Sequence, residues 1–159
     1  MATGRFFLYT DVMNLTSPAF KHNGPIPAHY TCDGKNANPP LAWSGAPKET
    51  ESFALIMDDP DAPRGTWVHW VLWNIDPSIT SIAEHSVPTG AVQGMTSFGR
   101  SAYGGPCPPD REHRYFFKLY ALDTLVSLPS SATKEKVERM MEGHILAQTE
   151  LIGLYDRKR

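Results

Sequence analysis

The sequence predicts a mainly β protein: an antiparallel β-sandwich carrying one or two short helices. Three observations predict it. Proline occurs 14 times in 159 residues, nearly twice the usual frequency of about 5%, and helix interiors reject proline whereas turns and strand edges accept it. Several short segments are rich in aromatic or β-branched residues and bounded by turn formers. Only one segment carries helical periodicity. No repeat or low-complexity tract appears, and the Pro/Gly clusters are spread along the chain, so residues 1–159 are expected to form a single domain.

In chain order, strands are expected at Phe6–Tyr9, Asn14–Ser17, Phe53–Met57, Trp67–Ile75, His113–Leu122 and Thr149–Tyr155. Gly24 to Pro40 reads as a long irregular loop, a kind uncommon inside a compact domain and often functional. Along Trp67–Ile75, side chains alternate, so Trp67, His69, Val71, Trp73 and Ile75 share one face and Val68, Trp70, Leu72 and Asn74 the other. Both faces are largely apolar, so this strand should be central and covered on both sides. Near the C-terminus, Val137, Met140, Met141, His144 and Ile145 recur at helical spacing. Thr133 is the candidate N-cap, and Glu135 places a carboxylate at the positive end of the helix dipole. His144 is expected as a packed structural histidine, and Met140 and Met141 as core.

Composition excludes several classes. Lys+Arg is 15 and Asp+Glu 17, so the formal charge is 15 − 17 = −2. No basic excess exists to hold a nucleic-acid backbone or an anionic membrane surface. No run approaches the roughly 18 apolar residues of a spanning helix. Met1 to Phe7 lacks the basic-then-apolar pattern of a secretory signal. A cytoplasmic location, with no integral membrane segment and no nucleic-acid partner, is the expectation. In that compartment Cys32 and Cys107, 75 positions apart, are expected as two reduced thiols, a disulfide being the alternative.

The polar residues on the strands suggest a site. His69 sits in an apolar row, where a polar ring needs a partner. His113, Tyr115, Phe117, Leu119 and Ala121 share a face that is polar at its start and apolar beyond. That pattern fits a strand leaving a core and entering a pocket, or simply a solvated strand end. Asp59-Pro60-Asp61-Ala62-Pro63 follows the third strand, and each residue before a proline is held extended. Asp59 and Asp61 therefore stand at fixed positions and project the same way; an ordinary acidic turn is the alternative. Tyr103-Gly104-Gly105-Pro106-Cys107-Pro108-Pro109 allows close backbone approach and could offer the Gly104 and Gly105 N–H groups to an anion, or be a plain rigid connection.

Asp59-Pro60-Asp61-Ala62-Pro63, Gly65-Thr66-Trp67-Val68-His69-Trp70, Tyr103-Gly104-Gly105-Pro106 and His113-Arg114-Tyr115, in that order, resemble the phosphatidylethanolamine-binding protein family, in its bacterial and archaeal Raf-kinase-inhibitor-like branch. The resemblance runs from about Met13 to Tyr155. It implies a β-sandwich whose small pocket binds phosphate-like anions, built from Asp59, Asp61, Trp67, His69, Gly105, Pro106, His113 and Tyr115. It also implies phospholipid-headgroup binding and, in some members, inhibition of serine proteases or kinases. Two departures stand out. Val68 replaces the second histidine of animal members, and the chain ends directly after the last expected strand, without the C-terminal helix of animal and plant members. Regulation of Raf-type kinases is therefore not carried over, and a more open pocket or a homodimer is expected.

The resulting expectation is a non-catalytic receptor for a small anionic ligand, with no cofactor and no metal. Asp59 and Asp61 would orient the site, His69, His113 and Tyr115 would donate to the anion, and Trp67 and Pro106 would form apolar walls. Inhibition of a target protease or kinase is the alternative. A hydrolase or metal enzyme using Asp59, His69 and His113 is a second one. Ser97 and Ser101 lie in no GxSxG elbow, and HExxH, P-loop and dinucleotide motifs do not occur.

Overall fold

A computed structural model describes residues 12–158; the strand expected at Phe6–Tyr9 lies outside them. Among the described residues the strands are β1 (Asn14–Thr16), β2 (Gly24–Pro25), β3 (Leu41–Ser44), β4 (Ser52–Asp59), β5 (Trp67–Ile75), β6 (Ser81–Ile82), β7 (Val92–Gln93), β8 (His113–Leu122) and β9 (Ile145–Tyr155), with a 3-10 turn at Ala28–Tyr30 and one α-helix, α1 (Lys134–Met141), before β9. They form a three-stranded sheet, β1-β3-β6, and a six-stranded sheet, β2-β9-β8-β4-β5-β7. Every strand pairing is antiparallel except β2 with β9.

The large sheet is the middle layer, and β4 shows why. Every residue of β4 is buried. Phe53, Leu55 and Met57 enter the core between the sheets, where they meet Leu15, Leu41 and Trp43 of the small sheet. Ala54 and Ile56 face the other way, into a second cluster with Val126, Val137 and Met141 under α1. Fully burying such a side chain is worth about 1.5–3 kcal/mol. Asp58 also lies on the helix side, 1% exposed. Its Oδ2 pairs with Lys118 of β8 (3.3 Å) and Lys134 of α1 (3.1 Å), which compensates the buried charge and ties the helix to the sheet.

Several expectations are corrected here. β5 is covered on both faces but is not central: β4 lies between it and β8. Its outer edge pairs with β7 only at Leu72 and Trp73. The rest is finished by main-chain donors: Gly94 N to Val71 O (2.8 Å), Ser97 N to Val68 O (2.9 Å) and Gly104 N to His69 O (3.0 Å). The β5 register also shifts twice against β4, between Phe53 and Leu55 and between Met57 and Asp58, with Asn74 at φ 57°. Each extra residue resets the alternation. Ile75 therefore joins Trp70 and Leu72 between the sheets, while Val71 and Trp73 pack with Val68 toward the helix.

The helix stops earlier than its periodicity implies. α1 ends at Met141, and Gly143, at φ +79°, turns the chain into β9, which begins at Ile145 instead of Thr149. Val137 and Met141 are core, but Met140 is 42% exposed. His144 is not packed; it lies on the surface, paired with Asp123 (2.7 Å). Thr133 occupies the N-cap without making a side-chain cap bond. Finally, Cys32 and Cys107 are joined by a disulfide. The expectation of free thiols followed from an assumed reducing compartment, whereas the fold brings their Cα atoms to 5.5 Å. Among the described residues, no helix is long and apolar enough to cross a membrane.

Candidate functional site

Asp59 ends β4, Trp67 begins β5 opposite it, and His113 begins β8, so the polar ends of three adjacent strands meet at one end of the large sheet. Beside them opens a cleft of about 540 Å³. Asp59, Trp67, His69, His113 and Tyr115 line it, with Phe98, Pro63, Arg64, Cys107, Pro108 and Pro109 completing the wall and rim. Asp59 reaches this face because it continues the Phe53, Leu55, Met57 row of β4. Tyr115 and His113 continue the Phe117, Leu119, Ala121 row of β8, as their alternation requires. His69 arrives by a different route: the β5 bulge turns its ring onto Tyr115, with centroids 5.3 Å apart at 84°.

Each polar group has defined bonding. His69 Nδ1 donates to the Gly104 carbonyl at 2.7 Å. A carbonyl only accepts, so the hydrogen sits on Nδ1 and Nε2 is left for a ligand. Burial pushes the ring's pKa down, against the Gly104 carbonyl and the Asp59 and Asp58 carboxylates, which favour the charged form. His113 is bracketed by carboxylates: Nδ1 donates to Asp59 Oδ2 and Nε2 to Asp110 Oδ1, each at 2.7 Å. Asp59 also accepts from the Asp61 N–H at 2.7 Å, which holds its carboxylate in place. Tyr115, fully buried, has a hydroxyl with no hydrogen-bond partner among the described residues. Burial and then the Asp59 charge raise its pKa, so it remains a neutral donor. Trp67 and Phe98 meet edge-on at 5.5 Å, and Phe98 also contacts His69 at 5.3 Å.

Three expected site residues are elsewhere. Asp61 turns away to Arg114, accepting from its backbone N, Nε and Nη2, each at 2.9 Å. Those bonds hold its carboxyl well below the usual range, at about 2. Gly105 and Pro106 do not line the cleft. The Gly105 N–H donates to Asn36 Oδ1 (2.8 Å), and the Gly104 N–H to the His69 carbonyl, so neither amide is offered to an anion. Gly105 is glycine because a Cβ there would collide with Tyr30 O and Asn36 Oδ1. Pro106 O accepts from Cys32 N (3.1 Å), beside the disulfide. Phe98, Asp110 and Arg114 were missed. Asp110 carried a signal, standing three residues before His113; Phe98 carried none, since its loop shows no pattern.

The donor set does not resemble a metal site. His113 commits both nitrogens to carboxylates and His69 commits Nδ1 to a carbonyl. Among the described residues no group of three or more His, Cys, Asp or Glu side chains is arranged to hold a metal ion.

A two-sheet β-sandwich with a His-, Tyr- and Asp-lined cleft at the end of its larger sheet is the class this fold and site define. A family model described as phosphatidylethanolamine-binding protein matches residues 16–156. A UPF0098 protein of Methanothermobacter thermautotrophicus is 53% identical over 150 residues, covering 91% of this chain and 99% of that protein. Among solved structures, a phosphatidylethanolamine-binding protein homologue of Chlamydia trachomatis superposes with a TM-score of 0.90 at 42% identity, covering 93% of this chain and 99% of that one. Escherichia coli YbcL, described as a member of the mammalian family, gives 0.86 at 34% identity, covering 92% and 99%. The chain belongs to the phosphatidylethanolamine-binding protein family.

Proposed function

We propose that the cleft binds a small anion with a phosphate-type head and breaks no bond. One observation carries this reading: the buried Tyr115 hydroxyl lacks a partner and stands against His69, whose Nε2 is also uncommitted. Leaving a buried donor unsatisfied costs about 1–3 kcal/mol, and a ligand oxygen would remove that penalty. The anion's charge offsets the burial that keeps His69 neutral, so Nε2 takes up a proton on binding and donates beside the Tyr115 O–H, Arg64 on the rim adds positive charge, and Trp67 and Phe98 shield the contact from water. A zwitterion such as phosphoethanolamine fits as well, since Asp59 gives its ammonium an acceptor nearby. Among the described residues of the cleft, Ser97 Oγ accepts from Val68 N (2.8 Å) and shows no hydrogen bond to a histidine that would activate it as a nucleophile.

The test is titration with inorganic phosphate and with phosphoethanolamine, followed by NMR or calorimetry. Wild type should bind saturably, and Tyr115→Phe should bind about tenfold more weakly, the worth of one hydrogen bond to a charged group. His69→Ala should not bind. Equal responses in all three proteins overturn the reading.

A further inference from the structure

We propose that Asp110 is the specificity-determining residue of this cleft: its carboxylate is an internal occupant of the anion position on His113 Nε2, which a phosphate-type dianion displaces and a simple carboxylate does not. The inference rests on the anion-binding reading above and goes beyond it. His113 Nδ1 is turned to Asp59, and Nε2 is the nitrogen left for a ligand; Asp110 Oδ1 sits on it at 2.7 Å, the spacing of a charge-assisted hydrogen bond. The two partners differ in freedom. The His113 side chain is 1% exposed and Asp59 4%, whereas Asp110 is 48% exposed. Asp110 can therefore swing into water while the histidine stays in place. Its other bond is local, accepting from the Arg111 N–H at 2.9 Å.

Asp110 follows Pro108 and Pro109, which line the cleft, so a stiff loop delivers it. A tethered carboxylate competes as an intramolecular ligand at an effective concentration of roughly millimolar or more. An external monocarboxylate brings the same charge and the same oxygens, and so gains little by replacing it. A phosphate monoester brings about −1.5 to −2 charge and more acceptor oxygens. One oxygen can replace Asp110 on Nε2 while another meets the unpartnered Tyr115 hydroxyl, whose ring stacks on His113 at 6.4 Å. The charged groups around Asp110 are His113 and Arg111, with Asp59 on the far side of the imidazole. Removing Asp110 thus leaves one carboxylate holding the ring.

Titration of wild type, Asp110→Ala and Asp110→Asn with inorganic phosphate and with acetate, followed by NMR, tests this. Wild type should bind phosphate saturably and acetate not at all over the same range. Both variants should bind phosphate about tenfold more tightly, and acetate binding should appear. The asparagine keeps the side chain's volume without its charge, so it separates charge from loop packing, and thermal melts check the fold. If wild type binds phosphate and neither variant gains affinity, this proposal is overturned and the anion site stands. If no protein binds phosphate, the anion site falls and the proposal with it.

Discussion

Tyr115 and His69 illustrate how single residues set this site. The Tyr115 hydroxyl is buried without a partner, so removing it removes an unsatisfied donor. Tyr115→Phe should melt higher than wild type, by the equivalent of about 1 kcal/mol, while binding phosphate more weakly. A lower melting temperature would show that the hydroxyl is satisfied in the folded state. His69 gives a pH dependence. Burial holds its pKa below the ordinary 6.5, so the folded chain takes up this proton less readily than the unfolded chain. Its contribution is fully present above pH 6.5 and is lost as pH falls below it. Asp61, lowered to about 2, acts in a separate, more acidic window, losing its contribution as pH falls through that value. Thermal melts between pH 7 and 5 should show a shallower stability loss in His69→Gln than in wild type; parallel slopes would contradict this. His113, Tyr115 and Asp59 were legible because strand alternation and proline placement are local, and His69 because a polar ring in an apolar row needs a partner. What each touches was not: Asp61 on Arg114 and Gly105 on Asn36 are contacts between segments 53 and 69 residues apart.

At the scale of elements, β5 and β8 carry the same lesson in opposite senses. Both extents match the sequence expectation, because turn formers bound them. On β8 the alternation holds along the strand, from His113 through Tyr115 and Phe117 to Leu119 and Ala121. On β5 two register shifts break it, and apolar residues on both sides hide the break, since either phase buries hydrocarbon. β3 (Leu41–Ser44) went unseen because it is short and follows Pro39-Pro40. The helix was overrun because Ile145 and His144 fit its period by coincidence, whereas Gly143 ends it. The corrected bounds separate two neighbours by energy. Val137→Ala, at a fully buried site, should cost about 2 kcal/mol, and Met140→Ala, on the exposed side, less than about 0.5 kcal/mol. Denaturant midpoints compare them directly, and a reversed order would place the helix in the wrong rotation.

Across the whole molecule, the Cys32–Cys107 bond closes a sequence separation of 75 residues and ties the segment before β3 to the proline-rich wall of the cleft. Reducing it, or replacing Cys32 by Ser, should lower stability by about 3–4 kcal/mol through freedom returned to the unfolded chain. Denaturant unfolding with and without reductant measures this, and an unchanged midpoint would refute it. The same bond connects cleft and fold, since Cys107 lines the cleft and Pro106 O accepts from Cys32 N.

By itself the sequence determined the β character, the main strands and five of the cleft's side chains, Asp59, Trp67, His69, His113 and Tyr115. Those follow from alternation, turn chemistry and motif order, which short stretches of chain express independently. Only the tertiary structure decided that β4 and β8 share the centre of the large sheet, that the thiols are joined, that both glycine amides are already committed and that Asp110 covers His113. These depend on which remote groups share a few ångströms of space, and hydrogen bonds and van der Waals contacts act only at that range.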